Sequence, residues 1–118
     1  MTYVDGFVIA VPTANKEAYR TVAEAMVPLF KDYGALSVVE CWGDDVPDGE
    51  VTSFPMAVKA TADESVVFSW ITWPDKATRD AGMAKAMEDE RMAGMDTANM
   101  PFDGKRMIMG GFEAIVEA

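Results

Sequence analysis

Two carboxylates lie in apolar segments of the sequence and could carry acid–base chemistry. Asp5 stands within the segment Tyr3–Val11, and Glu40 stands within Leu36–Trp42. Burial raises the pKa of a carboxyl group because loss of water disfavours the charged form, and such a group can exchange protons near neutral pH. The chain has no histidine, so any acid–base chemistry it supplies must use other groups. Asp5 and Glu40 are therefore the candidate catalytic residues.

Aromatic, methionine and arginine side chains could bind a ligand. Trp42, Trp70 and Met109 lie on predicted strands and could line an apolar pocket. Arg106 could hold an anionic group through charge-assisted hydrogen bonds. The same residues would also serve as core or as an ion pair with a neighbouring carboxylate. Both interpretations, a ligand pocket and plain packing, stay open at this point.

The sequence predicts no metal and no bound cofactor. An acidic turn at Asp44–Gly49 partly matches a calcium loop, but Val46 occupies a ligand position and Pro55 replaces the closing glutamate. The ten methionines include seven between Met83 and Met109, yet their spacing is irregular and no histidine or second cysteine would assist them with copper. No glycine-rich phosphate loop is present. We expect the methionines to pack a core or a dimer contact.

Length and charge limit the partners. A chain of 118 residues is expected to form one domain, residues 1–118. Its net charge of -10 disfavours nucleic acid and anionic membranes as partners. The single cysteine, Cys41, fits a reducing compartment, and the first residues do not have the pattern of a secretory signal. We therefore expect a cytoplasmic protein.

Four strands and two helices must position these residues. β-Branched and aromatic runs predict strands, and helical periodicity with capping residues predicts helices. The segment Phe54–Ala60 fits a short strand or irregular structure, and Arg91–Asp103 fits a loop or short helix. The strands are predicted at Tyr3–Val11, Leu36–Trp42, Ser65–Trp73 and Arg106–Ile115, and the helices at 16–33 and Lys76–Glu88.

Side-chain spacing predicts which faces of these elements are buried. Alternation places Phe68 and Trp70 on one sheet face and Trp73 on the other. The pair Gly110-Gly111 indicates a bulge or a close backbone approach in the last strand. The expected inward stripes are Ala18, Val22, Ala25, Met26, Leu29 and Tyr33 on the first helix, and Ala77, Ala81, Ala84 and Met87 on the second.

The order of elements predicts an α+β fold of the ferredoxin-like βαββαβ type. In that sandwich both helices cover one face of an antiparallel sheet. Several strands are apolar on both alternating faces, so the second face also needs cover. A second copy of the chain would provide it, which predicts a homodimer whose sheets pack face to face.

Several strings along the chain resemble one bacterial family. They include Tyr3-Val4-Asp5-Gly6-Phe7, Val39-Glu40-Cys41-Trp42, Asp45-Val46-Pro47-Asp48-Gly49 and Met100-Pro101-Phe102-Asp103-Gly104-Lys105-Arg106. In this order they resemble the YbaA-like family, DUF 1428. The resemblance implies a dimeric α+β barrel and brings no reaction with it.

Two functional hypotheses follow. In the first, the dimer binds a small, partly apolar molecule without metal or bound cofactor and could transform it; whether it is an enzyme stays open. Asp5 or Glu40 would then supply acid–base chemistry, beside the ligand-binding residues named above. In the second, the chain is a non-catalytic regulatory or interaction dimer in which the same residues form the core.

Overall fold

Four antiparallel strands form a single sheet. The computed structural model describes residues 2–95 and 100–118. Across the sheet the order is second, third, first and fourth strand, so the first and third lie in the centre. The strands are β1 (Tyr3–Pro12), β2 (Ser37–Trp42), β3 (Glu64–Trp73) and β4 (Ile108–Glu113).

Two long helices connect the strands, and two short helices follow β2 and the second long helix. The side chain of Asp75 accepts a hydrogen bond from the backbone N–H of Thr78 at 2.7 Å and so starts the second long helix where the sequence predicts it. Gly34 follows the first with a φ of 111°, which favours glycine. The helices are α1 (Lys16–Asp32), α2 (Phe54–Ala57), α3 (Lys76–Glu88) and α4 (Glu90–Ala93).

This element order and strand order make the fold ferredoxin-like, as predicted. The predicted strand at Arg106–Ile115 is shorter than expected, because residues 104–106 form a 3₁₀ turn before β4. The segment Phe54–Ala60 begins as a helix, since Ser53 caps the backbone N–H of Met56 at 3.1 Å. Part of the predicted loop or short helix at Arg91–Asp103 is helical in α4, and residues 96–99 of it lie outside the described residues.

β4 pairs with β1 in continuous register, so the bulge expected at Gly110-Gly111 is not present. The close approach, in contrast, is confirmed. A Cβ on Gly111 would lie 2.8 Å from Arg79 Nη2 and still closer to the hydroxyl of Tyr3. Because Gly111 has no side chain, the side chains of Tyr3 from β1 and Arg79 from α3 can lie directly against the backbone of β4.

The main core lies between the sheet and the two long helices. Trp73 is fully buried in it. The predicted stripe on α1 is confirmed in part: Leu29 is buried and Val22, Met26 and Tyr33 are half-buried, but Ala18 and Ala25 are exposed. Tyr19 and Phe30, which the prediction did not include, are also buried. The stripe predicted on α3 is wrong: Ala77, Ala81, Ala84 and Met87 are exposed, and Gly82 and Ala86 are the buried residues.

The second face of the sheet is covered only in part. Val58, in the turn after α2, packs against Val8, Ala10 and Val66. The other part carries Phe68, Trp70, Ile108 and Phe112, which keep solvent exposure. Phe68 and Trp70 share this face and Trp73 lies on the helix face, as predicted. We call the exposed part the open sheet face.

The methionines divide between packing and surface. Met83 and Met92 pack on the core beside Trp73, and Met107 packs near Tyr19. Met87 and Met109 are exposed. No helix within residues 2–95 and 100–118 is both long and apolar enough to cross a membrane.

Candidate functional site

A cleft of about 280 Å³ lies between α1 and the edge strand β2. Side chains from successive turns of α1 form one wall, and the residues of β2 that face the helices form the other. The cleft opens to solvent along the sheet edge. From α1 it is lined by Lys16, Tyr19, Arg20, Ala23, Glu24 and Val27, and from β2 by Val38, Glu40 and Trp42.

The polar centre of this cleft is a pair formed by Tyr19 and Glu40. The Tyr19 hydroxyl donates a hydrogen bond to Glu40 Oε1 at 2.7 Å. Tyr19 is buried, and its ring packs edge-on against Phe102 with 5.6 Å between ring centroids. Ser69 stands opposite Glu40 in the β2–β3 register. The core therefore fixes the donor side of the pair while Glu40 stays accessible from the cleft.

Burial and hydrogen bonding act in opposite directions on Glu40. Desolvation raises the pKa of Glu40, and the hydroxyls of Tyr19 and Ser69 lower it by hydrogen bonding, so the balance is a raised pKa. Burial and the neighbouring carboxylate also raise the pKa of Tyr19 well above its usual range. Tyr19 therefore remains a hydrogen-bond donor at neutral pH, and Glu40 is the group able to exchange a proton.

Trp42 forms the apolar end of the cleft beside a cation. Lys16 Nζ lies 5.5 Å from the centroid of the Trp42 ring, in cation–π geometry. Arg20 is one helical turn further along α1 and also lines the cleft. Of the sequence-predicted site residues, Glu40 and Trp42 are thus brought together in one cavity.

Asp5, the other candidate acid–base residue, lies outside this cleft in a buried ion pair. It is 3% exposed and accepts a hydrogen bond from Trp73 Nε1 at 2.9 Å. Arg79 of α3 approaches it with two nitrogens, at 2.8 Å from Nη2 and 3.1 Å from Nε to Asp5 Oδ1. The geometry of Asp5 is that of a bond between α3 and the centre of the sheet.

Arg106 is held by protein carboxylates. Its Nη2 donates to Glu64 Oε2 at 2.7 Å, and its Nε donates to Asp103 Oδ2 at 3.0 Å. The Arg106 guanidinium holds the pKa of Glu64 at about 2. Arg106 therefore forms an ion pair with the first residue of β3, and neither residue lines the cleft.

Neither Trp70 nor Met109 lies in the cleft: Trp70 is on the other face of the sheet, and Met109 is at the other edge of the sheet. Trp70 lies on the open sheet face, next to Phe68 with 5.6 Å between ring centroids. Met109 lies on β4, at the sheet edge opposite to β2, and is exposed. These two residues and Arg106 do not share a site with Glu40.

Sequence reasoning missed Tyr19, Lys16 and Arg20 as parts of the site. Tyr19 is buried but was not part of the predicted α1 stripe. The i, i+4 spacing of Lys16 and Arg20 beside Tyr19 was the available signal. It points to one helix face, but only the fold places β2 against that face.

Comparison with known proteins identifies the family. The family model described as a protein of unknown function, DUF1428, matches residues 2–104. The chain belongs to the DUF1428 family. It is 60% identical over 117 residues to the uncharacterized protein YbaA of Escherichia coli (strain K12), and equally to that of Shigella flexneri, with 99% of each chain covered. The resemblance found in the sequence is confirmed.

Two solved structures have folds similar to this DUF1428 protein. A dimeric ferredoxin-like protein from an uncultured marine organism matches with a TM-score of 0.62 and 9% identity, covering 99% of this chain and 98% of that chain. A Bacillus cereus protein provisionally assigned as an antibiotic biosynthesis monooxygenase matches with a TM-score of 0.54 and 10% identity, covering 100% and 95%. These likenesses establish the ferredoxin-like fold alone.

The chemistry available to this DUF1428 protein is concentrated in Tyr19 and Glu40. A ligand in the cleft can receive a hydrogen bond from protonated Glu40 or give a proton to its carboxylate. Trp42 offers a flat apolar surface beside this pair. No three His, Cys, Asp or Glu side chains within residues 2–95 and 100–118 are grouped as a metal site needs.

Proposed function

We propose that this protein is a homodimer that binds a small, partly apolar molecule in the cleft between α1 and β2. The observation that carries the proposal is the Tyr19–Glu40 hydrogen bond of 2.7 Å in a cavity that combines charged side chains with the apolar surfaces of Trp42 and Val38. Ligand sites combine apolar walls with a few fixed polar groups in this manner.

Glu40 gives the proposed site acid–base capacity. Desolvation raises the pKa of Glu40, and perturbed carboxyl groups of this kind are frequent at functional sites. We assign Glu40 as the group that exchanges hydrogen bonds, and in a reaction a proton, with the ligand. Tyr19 would hold its carboxylate in place.

The homodimer is supported by the open sheet face. On it Phe112 is 62% exposed and Phe68 is 44% exposed, and Ile108 lies beside them on β4. A contiguous apolar patch on a sheet is unfavourable in water and marks an interaction surface. A second copy would cover it by packing sheet against sheet, and one structural neighbour is itself described as dimeric. The cleft lies on the opposite face, so this dimer leaves the cleft accessible.

A metabolite-library thermal-shift measurement tests the binding proposal. Compounds that raise the melting temperature of the wild-type protein are expected to lose their effect on Glu40→Gln. They should keep it on the control Glu88→Gln, which neutralises an exposed glutamate at the end of α3. A library without any stabilising compound, or equal stabilisation of both variants, contradicts the proposed site.

The second hypothesis, a non-catalytic interaction dimer, also uses the open sheet face. It is favoured by one observation, namely that the largest exposed aromatic side chains lie there and not in the cleft. In that case the dimer would form while no compound acts through Glu40. A cytoplasmic location stays a prediction from the sequence.

A further inference from the structure

The arginines of this acidic protein differ in how completely they are neutralised. Arg79, Arg91 and Arg106 each have a carboxylate oxygen at 2.7–2.9 Å. Within the described residues the ion pair of Arg20 is the weak one, a 3.8 Å contact with the exposed Glu17. The charge of Arg20 is therefore available to a ligand.

Lys16 adds a second available charge next to Arg20. Both side chains line the cleft from adjacent turns of α1. Lys16 contacts the Trp42 ring and forms no ion pair with a carboxylate in the described part of the chain. The cleft therefore carries two cations beside its two carboxylates, Glu24 and Glu40, in a chain with a net charge of -10.

We propose that the ligand of this cleft is a small organic anion, an apolar body that carries a carboxylate or a comparable acidic group. This proposal deepens the proposed function and rests on it. The acidic group lies between Lys16 and Arg20, and the apolar body lies against Trp42. Charge-assisted hydrogen bonds to Arg and Lys are the means of recognition.

The carboxylates of the cleft restrict where the acidic group can bind. Glu40 is two residues from Trp42 on the same strand, about 6.6 Å away at a strand's rise per residue. Glu24 lies a further helical turn beyond Arg20. An anion is therefore repelled by Glu40 at the centre of the cleft and attracted to the end at Lys16, while a hydroxyl or N–H on the ligand's body can donate to Glu40. The charges thus give the ligand one orientation.

The test uses sets of three probes, and the members of a set share one apolar body and differ in charge. The first set is 3-phenylpropionate, 3-phenylpropanamide and 3-phenylpropylammonium. Three further sets replace the phenyl group with a naphthyl, indolyl or hexyl group. Dissociation constants come from ¹H–¹⁵N chemical shifts of the Trp42 indole and the α1 amides. The variant is Lys16→Gln/Arg20→Gln, and the control is Lys76→Gln/Lys85→Gln, which removes two exposed charges from α3.

We expect the carboxylates to bind at least about tenfold more tightly than the matching amides, because charge-assisted hydrogen bonds are stronger than neutral ones by about that factor. The preference should fall to about onefold in Lys16→Gln/Arg20→Gln and persist in the control. Equal binding of carboxylate and amide, or tighter binding of the ammonium probe, overturns the anion proposal and leaves the cleft as a binding site. If no probe on any body shifts the cleft signals, the proposed function itself fails.

Discussion

Glu40 differs from the other well-paired carboxylates of the fold in the kind of partner it has. Asp5 and Glu64 face arginines, and Glu64 has its pKa held at about 2 by Arg106. Glu40 keeps solvent exposure and faces the neutral hydroxyl of Tyr19, and partial loss of water raises its pKa. A carboxyl group without a cationic partner exchanges protons more readily than one held by an arginine. We therefore propose a functional role for Glu40 and a stabilising role for Asp5 and Glu64.

The pKa of Glu40 is expected to increase further in Tyr19→Phe. The Tyr19 hydrogen bond stabilises the carboxylate, so its loss favours the protonated form. A ¹³C titration of the Glu40 carboxyl carbon measures this pKa directly. Tyr33→Phe is the matched control, because Tyr33 donates to Asp89 at 2.6 Å and not to Glu40. An unchanged or lower pKa in Tyr19→Phe contradicts this account of the pair.

The sign of the linked stability effect follows from the same shift. Because the pKa of Glu40 is higher in the folded state than in the unfolded state, ionised Glu40 lowers the free energy of unfolding above the folded-state pKa. Glu40→Gln should therefore be more stable than wild type at neutral pH. The difference should disappear as the pH falls through that pKa.

Asp5→Asn is expected to destabilise the fold without altering the cleft. The substitution leaves Arg79 facing a neutral group in a largely buried place, which costs roughly 2 kcal/mol of unfolding free energy when Arg79 keeps some solvent contact. Asp80→Asn is the control, since Asp80 also contacts Arg79 but at the surface. Its effect should stay within about 0.5 kcal/mol in urea unfolding. A loss of ligand binding in folded Asp5→Asn would instead restore Asp5 as a functional residue.

The site could be predicted from the sequence only in part. Glu40 was found because it is a carboxylate within an apolar strand segment, and Trp42 because it is an aromatic residue on the same predicted strand. Arg106 could not be excluded, because its partner Glu64 is 42 residues away and only the fold joins them. Tyr19 was missed because the side of α1 that is buried depends on the sheet against which the helix packs.

At the scale of elements, strands were easier to predict than helix faces. β1, β2 and β3 lie within one residue of their predicted bounds, since β-branched and aromatic runs define them. α3 begins and ends as predicted, yet its inward face was wrong. The inward face of α3 is determined by Trp73, because the Trp73 ring leaves room only for Gly82 above it. A glycine does not contribute to a hydrophobic pattern, so the sequence did not indicate this face.

Gly82→Ala is expected to destabilise the fold by about 2 kcal/mol, within the range for overpacking. A Cβ at Gly82 would lie 2.5 Å from the carbonyl oxygen of Tyr33 and 2.6 Å from the Trp73 ring. Gly104→Ala is the control, because a Cβ there meets nothing within 4 Å. Urea unfolding measures both variants. Equal stability of the two variants would show that α3 does not pack on Trp73 as described.

At the scale of the whole molecule, the sheet separates two surfaces with different proposed roles. The helix face carries the cleft with its charged and hydroxyl groups. The open sheet face carries Phe68, Trp70 and Phe112. Because Val58, in the turn after α2, covers only the neighbouring part of this side of the sheet, the open sheet face is left for a partner. A dimer through one surface and a ligand in the other are therefore compatible.

Phe112→Glu is expected to convert the homodimer to monomer. The Phe112 ring lies over Gly6 and Gly110 on the open sheet face, and a carboxylate there would meet the apolar face of the second copy without a partner. Met87→Glu is the control, an exposed apolar residue on α3. Sedimentation velocity at micromolar concentration measures both variants. A monomeric wild-type protein, or a dimeric Phe112→Glu, contradicts packing through this face.

Crystallographic fragment screening can show whether the cleft between α1 and β2 is a small-molecule site. We expect bound fragments to gather in this cleft against Trp42, with a polar atom at hydrogen-bond distance from Glu40. Fragments that bind repeatedly elsewhere while the cleft contains only solvent would contradict it.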